Sequence, residues 1–185
     1  MTNLNKWKIT NSQLVLNNQW CRVRQDEVKL PNGEIIKDYF VNIRPDIALV
    51  FPVTKEQEIV FVRQYRHGVG QILLELPAGA FDPDQEDSLN AAARELEEET
   101  GYLAKKLIKL ATLYDNPVKD TNKIELFIAF DVSPLGKQKL DITEEIEVVL
   151  IPFQEVKNRI ATGEICVSGS IAAILLALDF LAKTL

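Results

Sequence analysis

One segment, Ser88–Thr100, constrains the fold most, because it predicts a single amphipathic helix with a defined end. Its apolar residues recur at helical spacing: Leu89, Ala92, Ala93 and Leu96. Gly101 follows at the position where a glycine commonly ends a helix. The chain must therefore adopt a fold that offers an apolar layer on which this helix can pack.

The same region concentrates the acidic residues of the chain. Residues 79–102 contain eight acids and one base, a net charge of −7, whereas the whole chain carries −6 and the remainder therefore +1. Glu95, Glu98 and Glu99 lie on one face of the predicted helix, beside the apolar stripe. Since neighbouring carboxylates repel one another, this cluster favours a bound cation, and carboxylate oxygens suit Mg²⁺ or Mn²⁺. The helix alone leaves open the alternative of a solvated acidic face.

The rest of the chain predicts strands first and helices last. Strands are expected at residues 20–30, 35–42, 47–53, 58–65, 73–76, 111–114, 125–132 and 147–151, and helices at residues 152–162 and 168–184. Asn32 and Gly33 separate the first two strands and favour a hairpin, because both residues tolerate a positive φ. The order predicts an α+β fold with a mixed β-sheet between helices and an N-terminal antiparallel β-hairpin or sheet extension. We expect residues 1–43 to form that extension and residues 44–185 the main domain.

Composition argues against several classes of protein. A net charge of −6 disfavours a nucleic-acid binder that neutralises phosphates, and a surface held to anionic lipid. Two distant cysteines, Cys21 and Cys166, indicate neither a disulfide framework nor a metal cluster and favour a reducing, cytoplasmic compartment. The apolar residues 171–182 are too few to cross a bilayer and predict a buried helix. With one histidine, His67, a site built from several imidazoles is excluded.

Residues 79–102 resemble the Nudix box of the Nudix hydrolases. That pattern runs glycine, five residues, glutamate, seven residues, and then Arg-Glu-apolar-x-Glu-Glu-x-Gly-apolar. Residues 94–102, Arg-Glu-Leu-Glu-Glu-Glu-Thr-Gly-Tyr, match its second half, and Glu86 precedes Arg94 by the required seven residues. Gly79 is separated from Glu86 by six residues rather than five, so the loop carries one extra residue.

The resemblance implies a Nudix fold, which is an α/β/α sandwich, and Mg²⁺-dependent hydrolysis of a nucleoside diphosphate linked to another moiety. Mn²⁺ can take the place of Mg²⁺ in such a site. The implied metal ligands are Glu95 and Glu99, with Glu98 assisting and the carbonyl of Ala78 as a further ligand. The residues implied to hold the loop and helix together are Gly79, Glu86, Arg94 and Gly101.

The sequence around the box resembles the ADP-ribose and nucleotide-sugar pyrophosphatase branch of the family. Residues 74–79, Leu-Glu-Leu-Pro-Ala-Gly, and residues 63–66, Arg-Gln-Tyr-Arg, are similar to segments of that branch. Arg66 is then implied to contact the diphosphate, with help from Arg63, because a guanidinium fork suits phosphate oxygens. Pairing of these arginines with surface acids is the alternative.

A proline beyond the box also matches that branch. Pro117 lies sixteen residues after Gly101, but the residues that follow it depart from the usual pattern of ADP-ribose pyrophosphatases. We therefore expect ADP-ribose as the substrate, cleaved to AMP and ribose 5-phosphate, with GDP-mannose or another nucleotide sugar as the alternative. A Nudix-like module that binds ADP-ribose without cleaving it is less favoured, because the box glutamates are present.

The family often places a catalytic base on a loop after a later strand, and residues 142–147 are the matching place. Glu144 and Glu145 are the candidates, because a carboxylate can orient or deprotonate the attacking water. An exposed acidic turn explains the same residues equally well.

The N-terminal residues 1–43 resemble the extra sheet that this branch commonly exchanges between subunits. We therefore expect a homodimer that acts on a small-molecule nucleoside diphosphate, with no nucleic-acid or membrane partner. Trp20, Tyr39 and Phe40 could stack on a nucleotide base, although aromatic residues in strands more often belong to the core.

Overall fold

The computed structural model describes residues 4–184, so residues 1–3 and 185 of the two expected segments lie outside the described residues. The chain forms two compact units. The first unit combines the described residues up to Pro45 with the segment Tyr114–Asn122, and the second unit comprises the remaining described residues.

The first unit is built on an antiparallel sheet in the order β1-β2-β3. Its strands are β1 (Lys8–Asn17), β2 (Arg22–Lys29) and β3 (Ile35–Asn42). The predicted turn joins β2 to β3, and Gly33 there has a φ of 92°. The segment Tyr114–Asn122 joins the edge of this sheet, since the Asn42 N–H donates to the Lys119 carbonyl at 2.7 Å and the Thr121 N–H to the Asn42 carbonyl at 3.1 Å.

The second unit contains a mixed sheet whose main path is β10-β5-β4-β9-β8. Its strands are β4 (Asp46–Thr54), β5 (Glu58–Arg66), β6 (Gln71–Glu75), β7 (Ala78–Phe81), β8 (Lys106–Leu113), β9 (Ile124–Val132) and β10 (Ile146–Pro152). Strand β4 runs parallel to β9 and pairs with β5 only at Val53 and Ile59. Beyond that pair the two strands have different partners. Strand β5 pairs with β6, and β4 pairs with β7, so the turn between β6 and β7 lies within the sheet.

Helices cover both faces of this sheet, as the predicted α+β class requires. The helices are α1 (Ser88–Thr100), α2 (Val156–Ala161) and α3 (Ser168–Thr184). Alternate residues of β4 enter different cores: Val50 packs with Ala92 and Leu96 of α1, whereas Phe51 packs with Ile174 of α3. Within residues 4–184, no helix has the length and apolar character needed to cross a membrane.

The limits of α1 are those predicted from the sequence. The Asp87 side chain accepts hydrogen bonds from the first turn of the helix, and Gly101 ends the helix with a φ of 72°. The predicted apolar stripe is wrong at two positions, because Leu89 is 45% exposed and Ala93 is also exposed. The buried face is rotated towards Ala91, Glu95 and Glu99, so two of the acidic side chains lie inside it.

Other predicted boundaries also require correction. The expected helix over residues 152–162 is wrong at its beginning, because β10 extends to Pro152 and a 3₁₀ turn, Phe153–Glu155, precedes the short α2. Strand β8 begins at Lys106 rather than at residue 111. Strands β1 and β7 were not predicted: β1 is exposed on every residue, so it has no alternation of buried and exposed side chains, and β7 has four residues.

Candidate active site

The backbone of β7 lies against a carboxylate of α1. A Cβ added to Gly79 would stand 1.9 Å from the carboxyl carbon of Glu95, far inside van der Waals contact. Because glycine has no side chain, it alone permits this close approach. The sequence therefore requires glycine here to bring the buried Glu95 carboxylate beside β7.

Arg94 is the cation at the centre of the acidic cluster. Its Nη1 donates to Glu95 at 2.7 Å and to Glu98 at 2.9 Å. Its Nε and Nη2 donate to Glu86 at 3.1 and 2.9 Å. The hydrogen bond with Glu86 is the largest influence raising the pKa of Arg94, so the guanidinium stays charged. One side chain thus joins the loop before α1 to the helix, and the extra loop residue does not prevent this pairing.

Glu99 is the most buried carboxylate of the cluster, with 4% of its surface exposed. Its Oε2 accepts the N–H of Ala78 at 2.9 Å. Burial, together with the nearby charges of Glu95 and Glu144, raises the pKa of Glu99 to about 8, against the lowering by this hydrogen bond and by the charge of Arg66. Burial also raises the pKa of Glu95. The protein therefore buries these carboxylates without enough hydrogen bonds and positive charge to compensate for the loss of water. A cation would stabilise their ionised form.

A cleft of about 290 Å³ opens beside these carboxylates. It is lined by Gly79, Ala80, Arg94, Glu95, Glu98, Lys139, Asp141 and Glu144. The two sequence candidates for a base differ here, because Glu144 is half-buried in the lining whereas Glu145 is exposed and lies outside it. The Glu144 carboxylate accepts the Asp141 N–H at 2.9 Å, which fixes its orientation within the turn.

Two residues that the sequence did not indicate contact the carboxylate helix. The Lys139 N–H donates to the Glu98 carbonyl at 2.9 Å, and Nε2 of Gln138 donates to the Glu99 carbonyl at 2.7 Å. Lys139 also adds a positive charge to the cleft lining. Because 39 positions separate Gln138 from Glu99, no local spacing could have revealed the contact.

Arg66 lies on the face of β5 that α1 covers. It shares this face with Val60, which packs in the core of α1. Its Nε and Nη2 donate to Glu75 at 2.7 and 3.2 Å. Burial lowers the pKa of Arg66, but Glu75, Glu99 and Glu144 together raise it more. The structure thus brings Arg66 into the field of the cluster while it pairs with Glu75.

Arg63 lies on the opposite face of the same strand. It shares that face with Phe61, which packs in the core of α3. Its guanidinium donates to Glu147, the residue directly across on β10, at 2.9 Å. The structure therefore does not bring Arg63 to the cleft, and surface pairing accounts for its contacts.

The remaining candidate residues belong to the first compact unit. Pro117 lies in the segment Tyr114–Asn122, where the Tyr39 hydroxyl donates to the Val118 carbonyl at 2.7 Å. Trp20 and Phe40 are exposed. Roles for these residues in binding a substrate stay predictions.

The donor set suits a hard divalent cation. Glu95, Glu98 and Glu99 offer carboxylate oxygens, and the backbone of Ala78 lies beside Glu99. In the described part of the chain, no three acidic, imidazole or thiol groups already converge on one point. Arg94 Nη1 stands between Glu95 and Glu98, so these side chains must rotate to share a cation.

Comparisons with known proteins decide the family. A model described as the NUDIX domain matches residues 43–166, and one described as the nucleoside diphosphate sugar hydrolase N-terminal domain matches residues 7–42. The chain belongs to the Nudix family. The predicted family and enzyme class, a Nudix hydrolase, are therefore confirmed, and Nudix hydrolases generally use divalent metal ions.

The chain is similar to individual Nudix proteins over most of its length. It is 35% identical over 141 residues to the ADP-ribose pyrophosphatase of Bacillus subtilis, covering 76% of this chain and 75% of that protein. It is 32% identical over 155 residues to the ADP-ribose pyrophosphatase of Mycobacterium tuberculosis, covering 83% and 74%. A crystal structure of an ADP compounds hydrolase superposes with a TM-score of 0.87 at 24% identity, covering 100% of this chain and 98% of that one. This likeness confirms the predicted Nudix fold.

Proposed function

We propose that this Nudix hydrolase uses Mg²⁺ to cleave ADP-ribose into AMP and ribose 5-phosphate. The observation that carries the proposal is one cleft that Glu95, Glu98 and Glu144 line beside Gly79, with Glu99 buried next to it. The two relatives named ADP-ribose pyrophosphatases support the substrate.

Glu95, Glu98 and Glu99 would hold the divalent ion together with the Ala78 carbonyl, and Mn²⁺ can replace Mg²⁺ at such oxygen ligands. When bound, the ion supplies Lewis acidity and neutralises part of the charge of the diphosphate. Gly79, Glu86, Arg94 and Gly101 keep the loop and the helix in place, as the pairing of Arg94 with Glu86 supports.

Glu144 is the proposed general base. Its Oε2 accepts the Asp141 N–H, and no described residue bonds its Oε1, which is therefore free to accept a proton from water. As that proton moves to Glu144, the water oxygen forms a bond to phosphorus and the bond from that phosphorus to the bridging oxygen breaks. The two products are AMP and ribose 5-phosphate, and Glu144 returns the proton to solvent.

Arg66 is the proposed contact to the diphosphate. Glu75 occupies its Nε and Nη2, which fixes the plane of the guanidinium. No described residue bonds its Nη1, so this nitrogen can donate to a phosphate oxygen while the pair with Glu75 stays intact.

The first unit supports a homodimer. On β1, Ile9 and Leu14 lie on one face, are apolar and are about half exposed, which is typical of a surface that another chain covers. Cys21 and Cys166 are both free, in keeping with a reducing, cytoplasmic location.

Another sugar nucleotide is the second candidate substrate. The description of the N-terminal family model refers to nucleoside diphosphate sugars in general, which favours GDP-mannose or a similar compound beside ADP-ribose. A module that binds without cleaving is less favoured, because Glu95 and Glu98 line the cleft and Glu99 is also present, buried beside them.

The decisive experiment measures product release from a panel of diphosphates. Purified protein is incubated with ADP-ribose, GDP-mannose, NADH or a dinucleoside polyphosphate, with Mg²⁺ or with EDTA, and products are separated by chromatography. We expect AMP and ribose 5-phosphate from ADP-ribose, only with Mg²⁺. Faster turnover of GDP-mannose would move the assignment to the second candidate, and no turnover of any compound would contradict the proposal.

A further inference from the structure

One side-chain amide lies between the carboxylate helix and the strand that follows the Glu144 turn. Nε2 of Gln138 donates to the carbonyl of Glu99 at 2.7 Å and approaches the carbonyl of Ile146 at 3.5 Å. Glu99 lies in the last turn of α1, and Ile146 is the first residue of β10. Since an amide nitrogen carries two hydrogens, one Gln138 side chain can serve both carbonyls.

Backbone hydrogen bonds fasten the same segment to the end of α1. The Gly136 N–H donates to the Gly101 carbonyl at 3.0 Å, and the Lys139 N–H donates to the Glu98 carbonyl at 2.9 Å. The last carbonyls of a helix have no partner within the helix, and Gln138 and Lys139 supply donors for two of them, those of Glu99 and Glu98. This segment is therefore attached to the turn of α1 that carries Glu98 and Glu99.

The Glu144 turn itself has little burial to hold it. It is closed by two local hydrogen bonds, from the Glu144 N–H to the Asp141 carbonyl and from the Asp141 N–H to the Glu144 carboxylate, both at 2.9 Å. Ile142, at its tip, is fully exposed. The position of the turn therefore depends on what anchors its two ends, and Gln138 contacts α1 on one side and Ile146 on the other.

We propose that Gln138 is a positioning residue, whose amide holds the Glu144 turn at a fixed distance from the carboxylates of α1. The inference rests on the proposed function, because Glu144 matters only if it takes part in hydrolysis. A shift of about 1 Å in a reacting group can cost about 100-fold in rate. We expect Gln138→Ala to lower kcat by roughly 10- to 100-fold and to leave KM for ADP-ribose little changed.

Two further variants separate loss of the hydrogen bonds from loss of folding. Gln138→Met keeps the length of the side chain but has no donor, so it should lower kcat as Gln138→Ala does. Gln154→Ala removes an exposed glutamine outside the cleft and should leave kcat unchanged. A wild-type kcat for Gln138→Met would overturn the proposal.

A double-mutant cycle tests whether Gln138 acts through Glu144. In a Glu144→Gln background, Gln138→Ala should have little further effect on kcat, because the group that it positions is already gone. A general structural defect would instead lower kcat by the same factor in both backgrounds. Equal factors would overturn the proposal.

Hydrogen–deuterium exchange tests the anchoring without any catalysis. At short labelling times, peptides that cover residues 139–145 should exchange faster in Gln138→Ala and Gln138→Met than in wild type or Gln154→Ala. Unchanged exchange would overturn the proposal whichever substrate the enzyme uses. Faster exchange in a protein that hydrolyses no diphosphate would instead reject the proposed function while supporting the anchoring.

Discussion

Helix α1 and strand β1 depart in opposite directions from the usual placement of charged residues outside and apolar residues inside. Helix α1 buries Glu95 and Glu99 while its Leu89 is 45% exposed. Strand β1 exposes Ile9 at 51% and Leu14 at 48%. Each departure costs free energy in the isolated chain. Each therefore favours a binding partner that compensates for this cost.

The two departures favour different binding partners. Buried carboxylates are stabilised by a cation, because burial penalises the ionised form and raises the pKa of Glu99 to about 8. Exposed apolar side chains are stabilised by a surface that removes them from water. Helix α1 is therefore the proposed site of the chemistry, and β1 is the proposed contact between subunits.

The largest loss of kcat should come from changing Glu144 in the cleft, and its neighbour Glu145 provides a matched control. Glu144→Gln should lower kcat for ADP-ribose by roughly 100- to 10,000-fold, since it removes the proposed general base. Glu145→Gln makes the same chemical change one residue away, outside the cleft lining, and should keep the wild-type kcat. Steady-state kinetics at saturating Mg²⁺ measure both, and equal losses would contradict the assignment of Glu144.

A glycine pair tests the close approach of β7 to α1. Gly79→Ala should lower kcat by roughly 10- to 100-fold, because the new Cβ must displace the Glu95 carboxylate that stands 1.9 Å away. Gly68→Ala adds the same methyl group where nothing lies within 4 Å, and it should change neither kcat nor the thermal midpoint. A fully active Gly79→Ala enzyme would mean that the position of Glu95 is unimportant.

The two arginines of β5 offer a third test. Arg66→Gln should raise KM for ADP-ribose by about tenfold, the loss expected for one charge-assisted hydrogen bond. Arg63→Gln should leave KM unchanged, because Arg63 pairs with Glu147 on the opposite face of the strand. Kinetics over a range of ADP-ribose concentrations measure both values, and a larger effect at Arg63 would reverse the assignment.

The smallest effect on the chemistry should come from β1. Leu14→Asp places a charge on the exposed apolar surface, so the mass measured by light scattering should fall from that of a dimer towards that of one chain. Asn11→Asp adds the same charge without removing an apolar group and should remain dimeric. A monomeric wild type would break the interpretation of β1 as an assembly surface.

The sequence predicted the parts of this protein that rest on local signals. Helix α1 occupies the predicted Ser88–Thr100, and the glycine that ends it, Gly101, directly follows that segment. The hairpin between β2 and β3 likewise follows from Gly33 and its neighbour. Fold class and family could therefore be predicted from short stretches of chain.

Other features depend on burial or on distant contacts. The stripe with Leu89 was wrong because Glu95 and Glu99, which were expected beside the buried face, lie within it. Strand β1 was missed because it has no buried side. Gln138 could not be found because its contact with Glu99 depends on how the chain returns to the helix.

The carboxylates of α1 are proposed to hold the divalent ion that makes hydrolysis possible. The most direct test measures the rate of AMP formation from ADP-ribose against Mg²⁺ concentration, for wild type and for Glu99→Gln. For wild type we predict a rate that rises with Mg²⁺ and saturates. For Glu99→Gln we predict a rate at least about 100-fold lower at every concentration, because the variant loses a metal ligand. This factor corresponds to about 3 kcal/mol of transition-state stabilisation. Thermal unfolding in EDTA should show that Glu99→Gln folds normally, since burial disfavours the charge that it removes. Equal rates for the two proteins at saturating Mg²⁺ would contradict the proposed role of Glu99 as a metal ligand.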